Sequence, residues 1–179
     1  QKLSQPPVKV AAMKAGIPVI QPTSLRNEEF SSQLQNFAPD LCVVVAYGKF
    51  FPKGLLGLPP HGWINVHASL LPRYRGAAPI QWSIIRGDEV TGVTIMVINE
   101  GMDSGDMLLQ KEIAINQNET AGDLHDRLSH LGADALKETL SKLKKGDLQA
   151  VPQEESLVTF APMLKKEDGR IDWNRTARD

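Results

Sequence analysis

Trp63-Ile64-Asn65-Val66-His67-Ala68-Ser69-Leu70-Leu71-Pro72-Arg73-Tyr74-Arg75-Gly76 reads as a strand that runs straight into a stiff loop. The first five residues are mostly branched or aromatic, and Pro72 and Gly76 punctuate the loop. Side chains on a strand alternate with period 2, so Asn65 and His67 project to one face and Val66 to the other. In open α/β sheets, ligands bind beyond the carboxyl ends of the strands, and this pair stands at such an end. An amide donor beside an imidazole can stabilise an oxyanion and move a proton. A turn-capping Asn and a hydrogen-bonded buried His account for the same two residues, so the pair alone does not decide between them.

The flanking sequence places this strand in a sheet. Asp40 to Tyr47 is the clearest strand: its run Leu41-Cys42-Val43-Val44-Val45 is unbroken and apolar, which predicts burial on both faces, as in a parallel sheet. Gly48 to Pro59 reads as a loop with one helical turn, and Gly62 to His67 as the next strand. Ala77 to Arg86 reads as a helix with Pro79 in its first turn. Thr91 to Ile98 and Leu108 to Ile113 read as strands able to pair with each other. Thr120 to Leu143 is the strongest helix, with Leu124, Leu128, Leu131, Ala135 and Leu143 at helical spacing. Thr120 with Asp123 resembles a capping box, and Lys144-Lys145-Gly146 supplies cations and a closing glycine. Upstream, Val8 to Ala15 reads as a helix closed by Gly16, Pro18-Val19-Ile20 as a short strand, and Asn27 to Asn36 as a polar helix. Strands alternating with helices predict an α/β sheet with parallel central strands. There is no internal repeat and no linker before about residue 150; Val151 to Leu164 looks irregular and wraps the domain or leads away from it.

Composition sets bounds. At 179 residues, 41% hydrophobic and 23% charged, the chain has the make-up of one soluble domain with a real core. A net charge of −1 gives no hint of nucleic acid. The lone Cys42 reads as a buried inert thiol; it allows no internal disulfide and suits a reducing compartment. No apolar run approaches the roughly 20 residues of a membrane span. Gln1 to Lys9 lack a signal-peptide pattern. Gln1 and the stop at Thr176-Ala177-Arg178-Asp179 predict a fragment of a longer protein.

Two further stretches can carry chemistry. Asn99-Glu100-Gly101-Met102-Asp103-Ser104-Gly105-Asp106 comes after a strand, and a carboxylate there could orient His67 and stabilise its protonated form. Asp103 sits between two glycines; Asp106 is the rival, and a plain Asx turn explains the stretch equally. In the loop from Ser69 to Pro79, the apolar part could wall a flat heteroaromatic ligand, and Arg73 and Arg75 could meet an anion. A solvated surface turn is the plainer reading. Motifs for nicotinamide, mononucleotide phosphate and serine-nucleophile sites do not occur. His125 and His130 do not share a helix face well, and no cluster supplies further ligands, so no metal site is expected.

Taken together, Asn65 to Gly76, Thr91-Gly92-Val93-Thr94-Ile95-Met96 and Gly101-Met102-Asp103-Ser104-Gly105-Asp106-Met107 resemble the folate-dependent formyltransferase family. Val43 to Gly48, Gly76 to Gln81 and Arg170-Ile171-Asp172-Trp173 extend the likeness over the chain. The resemblance implies a Rossmann-like formyltransferase domain with a mostly parallel central sheet flanked by helices. It implies residues 1–150 as the catalytic domain, lacking a first strand and a basic tRNA-contacting loop that falls before or at Gln1-Lys2. Residues 151–179 would lead toward an absent C-terminal β-barrel domain. The implied reaction moves a formyl group from 10-formyltetrahydrofolate to the amino group of methionine on initiator tRNA. Relatives acting on an amino sugar, a glycinamide nucleotide or water share the trio, and a binding module with no turnover is the alternative of another class. By resemblance the catalytic trio falls on Asn65, His67 and Asp103. Folate contacts fall on Ser69, Leu70, Leu71 and Pro72, with Val45 to Lys49, notably Tyr47 and Gly48, lining the pterin pocket. A monomer in the cytoplasm or an organellar matrix, with no metal and no membrane contact, completes the expectation.

Overall fold

The computed structural model describes residues 5–171, 173, 174 and 176. The expectations that touch Gln1-Lys2, Asp172 and residues 177–179 lie outside the described residues. The chain divides into two compact units, Gln1–Ala38 and Pro39–Asp179.

The first unit holds two helices. Helix α1, Pro7–Lys14, starts on proline, whose missing N–H costs nothing in a first turn, and Gly16 stands just beyond it at φ 69°. Helix α2, Glu28–Asn36, is capped by Asn27, whose side chain accepts from the Glu29 N–H at 2.9 Å. Pro18-Val19-Ile20 is not a strand: among the described residues it has no ladder partner, and an apolar tripeptide without one has nothing to hold it extended.

The second unit is built on a four-stranded sheet in the order β1-β2-β3-β4. The strands are β1, Cys42–Val45; β2, Trp63–His67; β3, Val90–Val97; and β4, Met107–Ala114. Between β1 and β2 lies the single turn α3, Lys53–Leu56; between β2 and β3 lies α4, Pro79–Ile85. The α/β class is as expected, but the sheet is mixed rather than mostly parallel. Only β1 and β2 pair in parallel; β3 is antiparallel to both β2 and β4. A run of Val, Ile and Thr reads the same in either direction, so the hydropathy of β3 does not reveal its sense. Strand β3 starts beyond the carboxyl end of β2 and returns alongside it, with Thr94 opposite His67 and Val97 opposite Ile64.

Strand β1 departs from expectation in burial. It is an edge strand, and Val43 and Val45 are exposed while Cys42 and Val44 are half-buried. An unbroken apolar run marks a strand, but it does not reveal which faces are covered. Burial raises the Cys42 thiol above its ordinary value, which disfavours the reactive thiolate.

The core lies between β2, β3, β4 and the long helix α5, Ala121–Lys145. Ile64, Ile95 and Ala135 form one buried cluster; Val93, Leu124 and Leu128 form another. Val66 packs against both, so this face of the sheet belongs to the helix. The expected capping box of α5 is present, with Thr120 accepting from the Asp123 N–H and Asp123 from the Thr120 N–H. Gly146 closes the helix at φ 74°.

Candidate functional site

With Ile64 and Val66 turned to α5, the period of the strand sends Asn65 and His67 to the opposite face, together with Thr94 and Met96 of β3. That face is organised by Thr94. Its hydroxyl is fully buried, donates to the Ser69 carbonyl at 2.7 Å, and accepts from the Leu71 N–H at 3.0 Å. The Gln110 amide, across the ladder on β4, donates both to Thr94 Oγ1 at 2.9 Å and to the Leu71 carbonyl at 2.8 Å. The loop after β2 is therefore fastened to β3 and β4 immediately past His67. Ser69 Oγ donates to the Arg73 carbonyl at 2.7 Å and closes it from within. The Leu71–Pro72 peptide is cis.

His67 is 5% exposed. Its Nε2 lies 2.9 Å from the Tyr74 carbonyl oxygen, which can only accept, so Nε2 carries the hydrogen. In the neutral ring Nδ1 then holds the lone pair, and Nδ1 faces Asp103 Oδ2 at 3.7 Å. The carbonyl that sets this tautomer is itself fixed. Tyr74 stands at φ 64° and is 2% exposed. Its N–H donates to Thr159 Oγ1 at 2.9 Å, and its hydroxyl donates to Asp88 Oδ2 at 2.6 Å. The guanidinium groups of Arg73 and Arg86 lie 5.0 and 5.3 Å from its ring centre. Burial first, then the Asp88 hydrogen bond, push the Tyr74 phenol above its ordinary range, so it stays a donor.

Asp103 reaches His67 by an indirect route. The chain leaves β3 beside Trp63, whose carbonyl accepts from the Ile98 N–H at 2.8 Å, at the opposite end of β2 from His67. The loop then folds back over the Asn65–His67 face. Asn99 shapes its start as an Asx turn, accepting from the Gly101 N–H and the Ser104 hydroxyl, each at 3.0 Å. Asp103 stands at φ 47°, a left-handed conformation that the surroundings must hold in place. Gly105 passes so close to the Val97 carbonyl that a β-carbon there would overlap it. Asp103 Oδ2 accepts from the Gly76 N–H at 2.9 Å. Gly76 sits at φ 123°, and a β-carbon on it would meet the Ala161 carbonyl oxygen at 2.8 Å.

The structure thus brings Asn65, His67 and Asp103 to one face. Asn65 is half-buried, and its side chain makes no hydrogen bond among the described residues, so its amide is available as a donor. Asp106, the rival carboxylate, is exposed, and its carbonyl accepts from the Val97 N–H at 2.9 Å. Of the four loop residues, Leu70, Leu71 and Pro72 line an open cavity of about 480 Å³ whose other wall is Ser156 to Thr159. Ser69 is fully buried and shapes the loop from inside. Tyr47 and Gly48 are exposed at the carboxyl end of β1 and are not among the residues lining that cavity. Tyr47 stacks on Phe51 at 5.6 Å between ring centres, and Phe51 tilts against Trp63 at 4.6 Å. Neither arginine of the loop is free for an anion. Arg73 pairs with Asp88 at 2.9 Å, and the buried Arg75 meets Gln153 Oε1 at 2.9 Å and Glu155 at 2.8 Å. Among the described residues no His, Cys, Asp and Glu cluster could hold a metal, and no helix is long and apolar enough to cross a membrane.

Sequence reasoning missed Gly76 as the anchor of Asp103, Tyr74 as the partner of His67, and Gln153 altogether. The first two lay inside the stretch already singled out. Gln153 is an isolated amide in an irregular segment and carries no local signal.

A family model described as formyl transferase matches residues 1–140. The chain belongs to the formyl transferase family. The match spans Asn65, His67 and Asp103 and stops short of the segment after α5. A methionyl-tRNA formyltransferase of Desulfotalea psychrophila is 56% identical over 179 residues, all of this chain and 55% of the relative. One of Alkaliphilus oremlandii is 51% identical over 177 residues, 99% of this chain and 57% of the relative. The chain thus spans about half the length of the curated relatives it matches. Among solved structures, phosphoribosylglycinamide formyltransferase of Bacillus halodurans matches with a TM-score of 0.70 at 29% identity, covering 78% of this chain and 76% of its own. HypX of Aquifex aeolicus, solved with tetrahydrofolic acid, matches in fold with a TM-score of 0.68 at 21% identity, covering 80% of this chain and 26% of its own. The formyl transferase fold therefore accommodates the mixed sheet seen here.

Proposed function

We propose that this chain carries the catalytic centre of a methionyl-tRNA formyltransferase, moving a formyl group from 10-formyltetrahydrofolate to the α-amino group of methionyl initiator tRNA. One observation carries the chemistry: the Tyr74 carbonyl holds His67 as the Nε2–H tautomer, which leaves Nδ1, facing Asp103, as a base on the same strand face as Asn65. The acceptor rests on the relatives named for it at 51–56% identity along the whole chain.

An amine must be neutral to attack a formyl carbon. An α-amino group titrates near pH 7.7–8.0 and an ordinary histidine near about 6.5, a workable match for proton transfer. As the C–N bond forms, the amine proton passes to His67 Nδ1. The carbonyl oxygen becomes an oxyanion and accepts from the Asn65 amide and from the imidazolium. Donors of this kind are worth on the order of 3 kcal/mol each. Asp103 holds the ring and stabilises its charge. Collapse re-forms the carbonyl and breaks the bond to the folate nitrogen, which leaves with the proton returned from His67 Nδ1, so the ring is restored as a base. No protein nucleophile is required, because the amine is the nucleophile.

For the donor, the carboxyl ends of β1 and β2 are adjacent, with Val45 beside Val66. Tyr47-Gly48 and the loop bearing Leu70, Leu71 and Pro72 therefore follow neighbouring strand ends and are proposed as apolar walls for a flat pterin, with Ser69 buried beneath as the tie that shapes the loop. Residues 1–150 are proposed as the catalytic domain and 151–179 as the segment leading toward a C-terminal β-barrel domain, in a monomer working in the cytoplasm or an organellar matrix.

The test supplies 10-formyltetrahydrofolate to the protein and compares methionyl initiator tRNA with small amines, including an amino sugar and glycinamide ribonucleotide. Formyl-methionyl-tRNA as the preferred product is expected. Formylation of the small amines but not of the tRNA would overturn the proposed acceptor.

A further inference from the structure

The segment after α5 returns to the site. Val151 bridges to Met107, with N–H to carbonyl distances of 2.8 and 2.9 Å, at the end of the Asp103 loop. Phe160 bridges to Arg75 in the loop after β2, where Ala161 donates to the Arg75 carbonyl at 2.8 Å and Arg75 to the Thr159 carbonyl at 2.9 Å. The strap 151–161 therefore touches both loops that build the catalytic face.

Gln153 is the point where the three segments meet. Its Nε2 donates to the Asp103 carbonyl at 2.8 Å and to the Gly105 carbonyl at 2.7 Å, while its Oε1 accepts from Arg75 Nε at 2.9 Å. Both ends of the amide are fixed by chemistry: carbonyls cannot donate and a guanidinium cannot accept. Arg75 is covalently next to Gly76, whose N–H holds Asp103 Oδ2. The carboxylate is thus gripped through its side chain by Gly76 and through its peptide by Gln153, while its own φ of 47° is unfavourable.

We infer that Gln153 is a positioning residue for catalysis: it clamps the left-handed Asp103 peptide so that the carboxylate faces His67 Nδ1. It lies outside residues 1–140, which the family model matches. The inference rests on the proposed formyl transfer, since it assigns Asp103 a role in it.

The test uses Gln153→Glu, which keeps the length but presents oxygens to two carbonyls; Gln153→Ala, which removes the clamp; and Glu155→Ala, which loosens an exposed tie between the same strap and Arg75. Steady-state kinetics and thermal melting are measured for each. Both Gln153 variants are expected to lose at least tenfold in kcat, with KM for the formyl donor within threefold and melting within a few degrees of the parent. Glu155→Ala should keep the parental kcat. A kcat within threefold of the parent in both Gln153 variants would overturn the inference. So would a loss in all three that tracks their melting temperatures, or loss of cooperative melting in the Gln153 variants, because either marks a purely structural tie. A parent protein that transfers no formyl group would overturn the proposed function instead.

Discussion

Asn65 and His67 acquire different jobs from one strand because only one of them is already bonded. The ring is committed at Nε2 to the Tyr74 carbonyl, while the Asn65 amide is left for a ligand. Replacing Asn65 by Ala removes the proposed oxyanion donor, and kcat is expected to fall roughly 10²–10³-fold, with KM for the donor little changed; steady-state kinetics decide. Gly76→Ala should be worse than its size implies. It puts a β-carbon 2.8 Å from the Ala161 oxygen at φ 123° and moves the N–H that holds Asp103. A stability loss of about 1–3 kcal/mol by denaturant titration, with a disproportionate loss of kcat, is expected; a variant as active as the parent would contradict the anchoring role. Period 2 on β2 put Asn65 and His67 on one face, but choosing Asp103 over Asp106 came only with the family resemblance, because the local pattern there reads equally as an Asx turn. Gln153 was not legible in the sequence, since it lies 50 residues from Asp103 and its bonds there are to backbone, which any residue offers.

Elements were easier to place than to orient. Prolines, a capping box and closing glycines marked α1 and α5, polarity alone marked α2, and apolar branched residues marked the four strands. The direction of β3 was not written in hydropathy, because a run of Val, Ile and Thr reads the same either way; only its register against β2 shows it. Nor did the run in β1 reveal its exposed valines. At α5 the local signals were complete enough to predict energetics. Thr120→Ala breaks the capping box and should cost about 1 kcal/mol in chemical denaturation. Glu138 ties α5 to β4 through Lys111 at 2.9 Å and to Lys142 at 2.9 Å, hydrogen bonds that hold its carboxyl at about 2. A depressed folded value means that the stabilisation is present above the ordinary carboxylate range and is lost as pH falls toward about 2. Glu138→Gln should therefore flatten the fall in melting temperature between pH 5 and pH 2; an unchanged acid profile would show that this tie does not stabilise the fold.

Across the molecule, a four-stranded sheet separates two tasks. One face of the sheet is filled by α5 and supplies the core. The other carries the candidate site, assembled from three stretches distant in sequence: 65–76, 99–106 and 151–161. Rigidity comes from the first face and chemistry from the second, which is why the buried Thr94 and Tyr74 matter as much as the residues that would touch substrate. The proposed chemistry turns on His67 Nδ1 as the base. The decisive comparison is single-turnover formyl transfer by the protein and by its His67→Ala variant, with tetrahydrofolate affinity measured on the same samples. Transfer should drop by about 10²–10⁴-fold while folate binding stays within threefold; transfer by the variant within tenfold of the parent would contradict the assignment.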